Sequence, residues 1–108
     1  MIRKELGKIQ SIRFGMGGYQ DAMIGIRFDL GGNSWGVSDF WGYWAEHSQY
    51  CKWTQAEQKD YLGETVLKIN CLLKEANKTD INKLVGVPVE IEFENNTLKS
   101  WRILTEVI

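Results

Sequence analysis

Residues 22 to 30, AMIGIRFDL, alternate without a break. Ala22, Ile24, Ile26, Phe28 and Leu30 fall on one side, and Met23, Gly25, Arg27 and Asp29 on the other. A helix, turning about 100° per residue, would scatter those five apolar side chains around its circumference, whereas an extended chain collects them on one face. The segment is therefore read as a half-buried strand from about Tyr19 to Leu30, and such a strand needs neighbours. Lys8 to Phe14 (KIQSIRF) supplies one, with Ile12 and Phe14 on a common face. Ile9 is out of phase with them, which calls for a bulge. Gly15-Met16-Gly17-Gly18 joins the two strands by a turn that tolerates positive φ. Gly31-Gly32-Asn33 turns the chain again into a third strand starting near Ser34. An antiparallel meander of three strands follows.

Thr54-Gln55-Ala56-Glu57 matches a capping box, in which hydroxyl and carboxylate each satisfy a backbone donor at a helix start. Leu62, Val66, Ile69, Leu73 and Ala76 then recur at helical spacing, so an amphipathic helix runs to about Ala76. Gly63 inside it suggests a close backbone approach. Thr79-Asp80 opens a second short helix, INKLVG, closed by Gly86. Val87, Val89, Ile91 and Phe93 alternate with Glu90, Glu92 and Glu94, and a last strand runs from Leu98 to Val107. A three-residue loop, Asn95-Asn96-Thr97, would pair Ile91 with Trp101, Val89 with Ile103 and Glu90 with Arg102, which satisfies both faces of the hairpin. The expected fold is one α+β domain over 1–108, in the order βββ-α-α-ββ, with one long amphipathic helix on an antiparallel sheet.

Residues 34 to 53, SWGVSDFWGYWAEHSQYCKW, hold four of the five tryptophans and show no clean period of 2 or 3.6. Trp35, Phe40, Trp41, Tyr43 and Trp44 form an aromatic group punctuated by Gly36 and Gly42. Trp53, just before the helix cap, is expected to staple the helix start. About half of these rings belong to a core by the usual burial of Trp and Tyr, and the remainder point to a working surface. Rings that stack on a planar group, beside glycines that let backbone come close, suit a ligand face. Next to it, Tyr19, Gln20 and Asp21 follow the glycine turn and offer polar groups that orient a ligand. Arg13 and Arg27 sit on outward positions of adjacent strands, where guanidinium groups meet phosphate or carboxylate. Plain surface charge and a plain hairpin turn are the competing readings of the arginines and of the glycines.

Other chemistries find no support. The glycine turn is followed by a strand, and no Gly-Lys-Ser/Thr follows it, so it is neither a P-loop nor a dinucleotide fingerprint. Glu46, His47 and Cys51 fall short of a zinc ligand set, and no third group orients a Cys-His pair. No metal, no cofactor and no catalytic residue is assigned; an enzyme is not expected. The net charge of −1 shows no basic cluster, against duplex nucleic-acid binding. No apolar run is long enough for a membrane span, and MIRKELGKIQ lacks a signal-peptide h-region. With Cys51 and Cys71 read as reduced thiols, a cytoplasmic location is expected.

The segments GGYQDAMIG (17–25), WGV (35–37), KWT (52–54) and LKSWRILTEVI (98–108) together give a resemblance over nearly the whole chain. The chain resembles a group of small proteins encoded in tailed-phage and prophage genomes. That group has no established activity, so no site residue is carried over from it. The resemblance implies a viral gene product in a bacterial host cytosol, and by analogy a role in countering host defence. The expected function is non-catalytic capture of a small nucleotide-like ligand, an immune second messenger, at a site completed in a homo-oligomer. Aromatic stacking would come from Trp35, Phe40, Trp41, Tyr43 and Trp44, and polar contacts from Tyr19, Gln20, Asp21, Arg13 and Arg27. The alternative is a protein–protein inhibitor of a host defence factor using the same rings. A virion or assembly component is a third reading.

Overall fold

In the computed structural model, which describes residues 1–108, the alternating segment is strand β2 (Met23–Gly31) of a five-stranded antiparallel sheet. The other strands are β1 (Ile2–Gly17), β3 (Gly36–Trp44), β4 (Pro88–Glu94) and β5 (Thr97–Ile103), in the spatial order β3-β2-β1-β4-β5. One helix, α1 (Gln55–Ala76), completes an α+β domain. The second expected helix is a single 3-10 turn, Ile81–Leu84, capped by the Asp80 side chain on the Asn82 N–H. Tyr19–Asp21 is likewise a 3-10 turn, and β2 begins only at Met23. No helix is long and apolar enough to cross a membrane.

The long β1 is shared by two hairpins. Residues 8–17 pair with β2, and residues 2–8 pair with β4. Where the hairpins meet, Gln10 is the extra residue of a bulge, the device that the phase slip at Ile9 required. The inner face carries Ile9, Ile26, Phe28, Leu30, Val89, Ile91 and Ile103, all almost fully buried. β3 and β5 are opposite edges of the sheet, yet Trp41 of β3 stacks on Trp101 of β5, with centroids 5.6 Å apart. Phe28 touches both rings, at 4.7 and 5.0 Å. The sheet is thus curled until its two edge strands meet, and α1 packs against both. The radius of gyration, 15.1 Å, exceeds the roughly 13 Å of a compact chain of this length. The far half of β1 accounts for that: from Ser11 to Gly17 it has a strand only on its β2 side, and Phe14 and Met16 there stay 62% and 48% exposed.

Helix α1 starts as its sequence requires. The Thr54 hydroxyl accepts from the Glu57 N–H (3.0 Å), and the Glu57 carboxylate accepts from the Thr54 N–H (3.1 Å). Trp53 stacks on Trp44 (5.3 Å) and so ties the helix start to β3. The buried stripe keeps Ile69, Leu73 and Ala76 of the expected one, with Leu62 half-buried, but it departs from it at Val66. Thr65, Leu72 and Ala76 are buried, while Val66 is 65% exposed. Thr65 can lie inward because its hydroxyl donates to the Tyr61 carbonyl (3.0 Å). Gly63 meets no backbone either: a Cβ there would find nothing within 4 Å. Gly63→Ala is therefore expected to stabilise the domain by about 1 kcal/mol, the helix-propensity difference, in urea unfolding.

The last hairpin has the expected register, Val89 with Ile103, Glu90 with Arg102, Ile91 with Trp101. Its turn does not have the expected length. Glu94 pairs with Thr97, leaving Asn95 and Asn96 as a two-residue turn with φ of 53° and 66°, and a bulge at Lys99 restores the phase. Beyond β5, Arg102 donates to Glu90 (3.2 Å) and through two nitrogens to Glu106 (2.9 and 2.8 Å). The hydrogen bonds from Arg102, with the Glu106 backbone N–H, hold the Glu106 carboxyl at about 2, from an ordinary 4.5. A depressed folded-state value stabilises above the unfolded one, so this contribution is complete above about pH 4.5 and disappears as pH falls through about 2. Urea midpoints of wild type and Glu106→Gln are expected to differ slightly near neutral pH and to converge over that window.

Candidate functional sites on the two faces of the sheet

Residues 36 to 44 form a regular strand, although their sequence showed no period. Val37, Asp39, Trp41 and Tyr43 face inwards, opposite Leu30, Phe28, Ile26 and Ile24; Ser38, Phe40, Gly42 and Trp44 face outwards. Aromatic side chains occupy both faces, which erased the alternation. The expected site residues are divided accordingly. Trp41 and Trp35 pack against the buried core, Trp35 with its edge to Phe93 (5.7 Å). Tyr43 stacks on Tyr61 of α1 (4.5 Å), and burial pushes its hydroxyl pKa up, with the Tyr61 and Glu57 charges adding to the effect. These three rings are therefore not combined with the arginines in one site.

Of the other seven, Arg13, Arg27, Phe40 and Asp21 line one basin on the outer face, and Tyr19, Gln20 and Trp44 are not part of its lining. Arg13 and Arg27 are direct cross-strand partners, and Phe40 is the next residue in that row on β3. A shallow basin of about 250 Å³ is lined by Arg13, Arg27, Phe40, Gly17, Gly18 and Asp21, among others. Asp21, in that lining, and Gln20 before it in the chain hold left-handed backbone, with φ of 54° and 52°. Trp44 lies on the same face, with Tyr19 edge-on to it at 6.2 Å. Like charges directly opposite each other on a strand pair are unfavourable, and Arg27 turns its guanidinium to Ser38 of β3, donating at 3.2 Å. Arg27 is offset by Asp29 at 3.1 Å. Asp29 also accepts from the Ser11 and Ser38 hydroxyls, and these bonds, Ser11 foremost, hold its carboxyl below the usual range. Arg13 has no ion pair at all.

On the other side of the sheet, a groove of about 560 Å³ separates α1 from Trp41 and Trp101. Leu67, Lys68, Cys71 and Leu72 form its helical wall, with Glu64, Glu75 and Arg102 at its rim. Behind the two indoles lies Asp39. Its Oδ2 accepts from Nε1 of Trp41 (2.9 Å) and of Trp101 (2.7 Å), while Oδ1 accepts from the Phe40 N–H (2.9 Å). Of this groove only Trp41 was singled out from the sequence. Trp101 lies 60 residues further along the chain, and only the curl of the sheet makes them one surface. The spacing of 64, 67, 68, 71 and 75 along α1 does mark a helix face, but its mixed character hid it.

Glu46, His47 and Cys51 do not converge on a metal site. The His47 Nε2 bonds the Trp53 carbonyl (3.1 Å), and Cys51 receives the Ser48 N–H (3.4 Å). No protein-family model, curated protein or solved structure matches the chain. What the geometry defines is a class: a small α+β domain with an open concavity on each face of one curled sheet.

Proposed function

We propose that this protein captures a small anionic ligand with a planar ring, of the nucleotide class, on the outer basin. The observation that carries the reading is Arg13, set directly opposite Arg27 and lacking a counter-ion. A phosphate between the two guanidinium groups would relieve their repulsion and make charge-assisted hydrogen bonds to both. Phe40 offers a ring at the basin floor, and Asp21 an acceptor for a sugar hydroxyl or a base N–H. Nothing in the reading requires bond-making, so the role is sequestration. The resemblance to phage-encoded proteins makes an immune second messenger the natural ligand of such a device.

The test is a titration with cyclic dinucleotides and cyclic ADP-ribose isomers, followed by tryptophan fluorescence, since Trp44 shares the face. A saturable change with one of them is expected, and Arg13→Glu should weaken it tenfold or more, roughly the loss of one charge-assisted contact. A flat response to every member, or equal binding by Arg13→Glu, would sink the idea. The second reading, a contact with a host defence protein, draws on Tyr19 and Tyr50, 66% and 86% exposed. It would be supported by a pull-down from host lysate that Tyr19→Ala abolishes, and lost if Tyr19→Ala leaves the captured protein unchanged.

A further inference from the structure

The groove beneath α1 lies on the other face of the sheet from the outer basin and shares none of its lining residues. Lys68 places its ammonium nitrogen 4.3 Å from the centre of the Trp41 ring, on a face that opens to the groove. A cation is thus already resident there, held on a flexible four-carbon stem. The ring is a strong acceptor for it, because Trp is the best aromatic partner of a cation. Asp39 makes it stronger: its carboxylate draws hydrogen bonds from both indole N–H groups, which leaves their π faces richer in electrons.

The surrounding charges point the same way. Glu64 and Glu75 stand at the rim without an ion pair. Arg102, the other cation at the groove, is already shared between Glu90 and Glu106. Of the charged residues that line the groove, Glu64 and Glu75 are thus left without a cationic partner, and Lys68 without an acidic one. Leu67 remains 63% exposed beside the indoles, apolar surface that the fold leaves uncovered. We infer that this groove is a binding site for a small organic cation, an ammonium or quaternary ammonium group on an apolar body, with the Lys68 side chain as its built-in placeholder. The ligand takes the position of the Lys68 ammonium over Trp41, its apolar part lies along Leu67 and Leu72, and Glu64 and Glu75 balance its charge. Lys68 swings out into water.

This assignment makes Lys68 a competitor and not a contact, which reverses the usual sign of a deletion. Choline and benzyltrimethylammonium are the probes, with 3,3-dimethylbutan-1-ol as the uncharged isostere of choline. Binding is read from the indole N–H resonances of Trp41 and Trp101 in 15N-labelled protein. Both cations are expected to shift these two resonances saturably, and the alcohol to do so far more weakly. Lys68→Ala should tighten cation binding roughly three- to fivefold, the share of one exposed cation–π contact. Glu64→Gln with Glu75→Gln should weaken it. Equal binding of the alcohol would overturn the inference, as would a Lys68→Ala variant that binds the cations no better or worse than wild type. Because Lys68→Ala leaves the outer basin intact and Arg13→Glu leaves the groove intact, failure at one site is distinguishable from failure at the other.

Discussion

An alanine at position 25 is expected to destabilise the domain by about 3 kcal/mol, the upper range for forcing extra volume into a packed site. Gly15, Gly25 and Gly42 form an unbroken row across β1, β2 and β3. In its middle the backbones of β2 and β3 come so close that a Cβ on Gly25 would collide with the Trp41 carbonyl oxygen and the Gly42 Cα. A Cβ on Gly42 would likewise meet the Ile24 carbonyl oxygen and the Phe40 ring. Backbone atoms have no alternative rotamer, so the strands themselves would have to part. Gly36→Ala is the control on the same strand pair: its nearest neighbour would be 3.5 Å away, and a change within about 0.5 kcal/mol is expected. Urea unfolding of the two variants measures the contrast. If Gly25→Ala costs no more than Gly36→Ala, the close approach of β2 and β3 is not present in solution.

The same row matters to the outer site. A Cβ on Gly17 would run into the Phe40 ring from one side and a Cβ on Gly42 from the other, so both glycines are the space in which Phe40 lies flat beside Arg13 and Arg27. Gly42→Ala is accordingly expected to disturb the basin as well as the fold. This gives Gly17 and Gly42 a packing role beside the basin.

Local order was legible where one physical requirement dominated a segment. Residues 22–30 have apolar side chains on one face only, and the alternation survives in the text of the sequence. The capping box at Thr54–Glu57 is read from four residues because the hydrogen bonds it makes are local. The bulge near Ile9 showed as a phase slip. Legibility failed wherever two requirements overlapped. β3 is aromatic on both faces, so its period vanished. Thr65 replaces Val66 in the buried stripe of α1 because a threonine hydroxyl can be satisfied by its own helix, an option that a hydrophobicity pattern cannot register. The hairpin turn at Asn95-Asn96 was misjudged by one residue because a bulge at Lys99 gives the same pairing further in. The site suffered most, since Trp41, Lys68 and Trp101 meet through the curl of the sheet. No local rule relates their positions.

The carboxylate behind the two indoles carries the second large effect. Asp39→Ala is expected to cost about 3 kcal/mol, since it strips the acceptor from two half-buried indole N–H groups and from the Phe40 N–H. Asp39 is also a link between the two ends of the sheet. It belongs to β3 and holds Trp101 of β5, 62 residues away in the chain, at 2.7 Å. Losing it removes a polar tie at the place where the curl closes, while Phe28 and the ring stack remain. The variant should therefore stay folded but let Trp41 and Trp101 drift from their near-parallel arrangement, now 17° between planes. Near-ultraviolet circular dichroism should lose intensity in the tryptophan region before the far-ultraviolet signal changes. Asp39→Asn is expected to fall between, because the carboxamide keeps one acceptor oxygen and turns an N–H₂ toward a remaining donor. An Asp39→Ala protein with unchanged stability and an unchanged tryptophan band would mean that apolar contact alone closes the sheet. If instead both fall in the expected order, wild type above Asn above Ala, the curl that creates the groove is set by a single half-buried acceptor as well as by the rings around it.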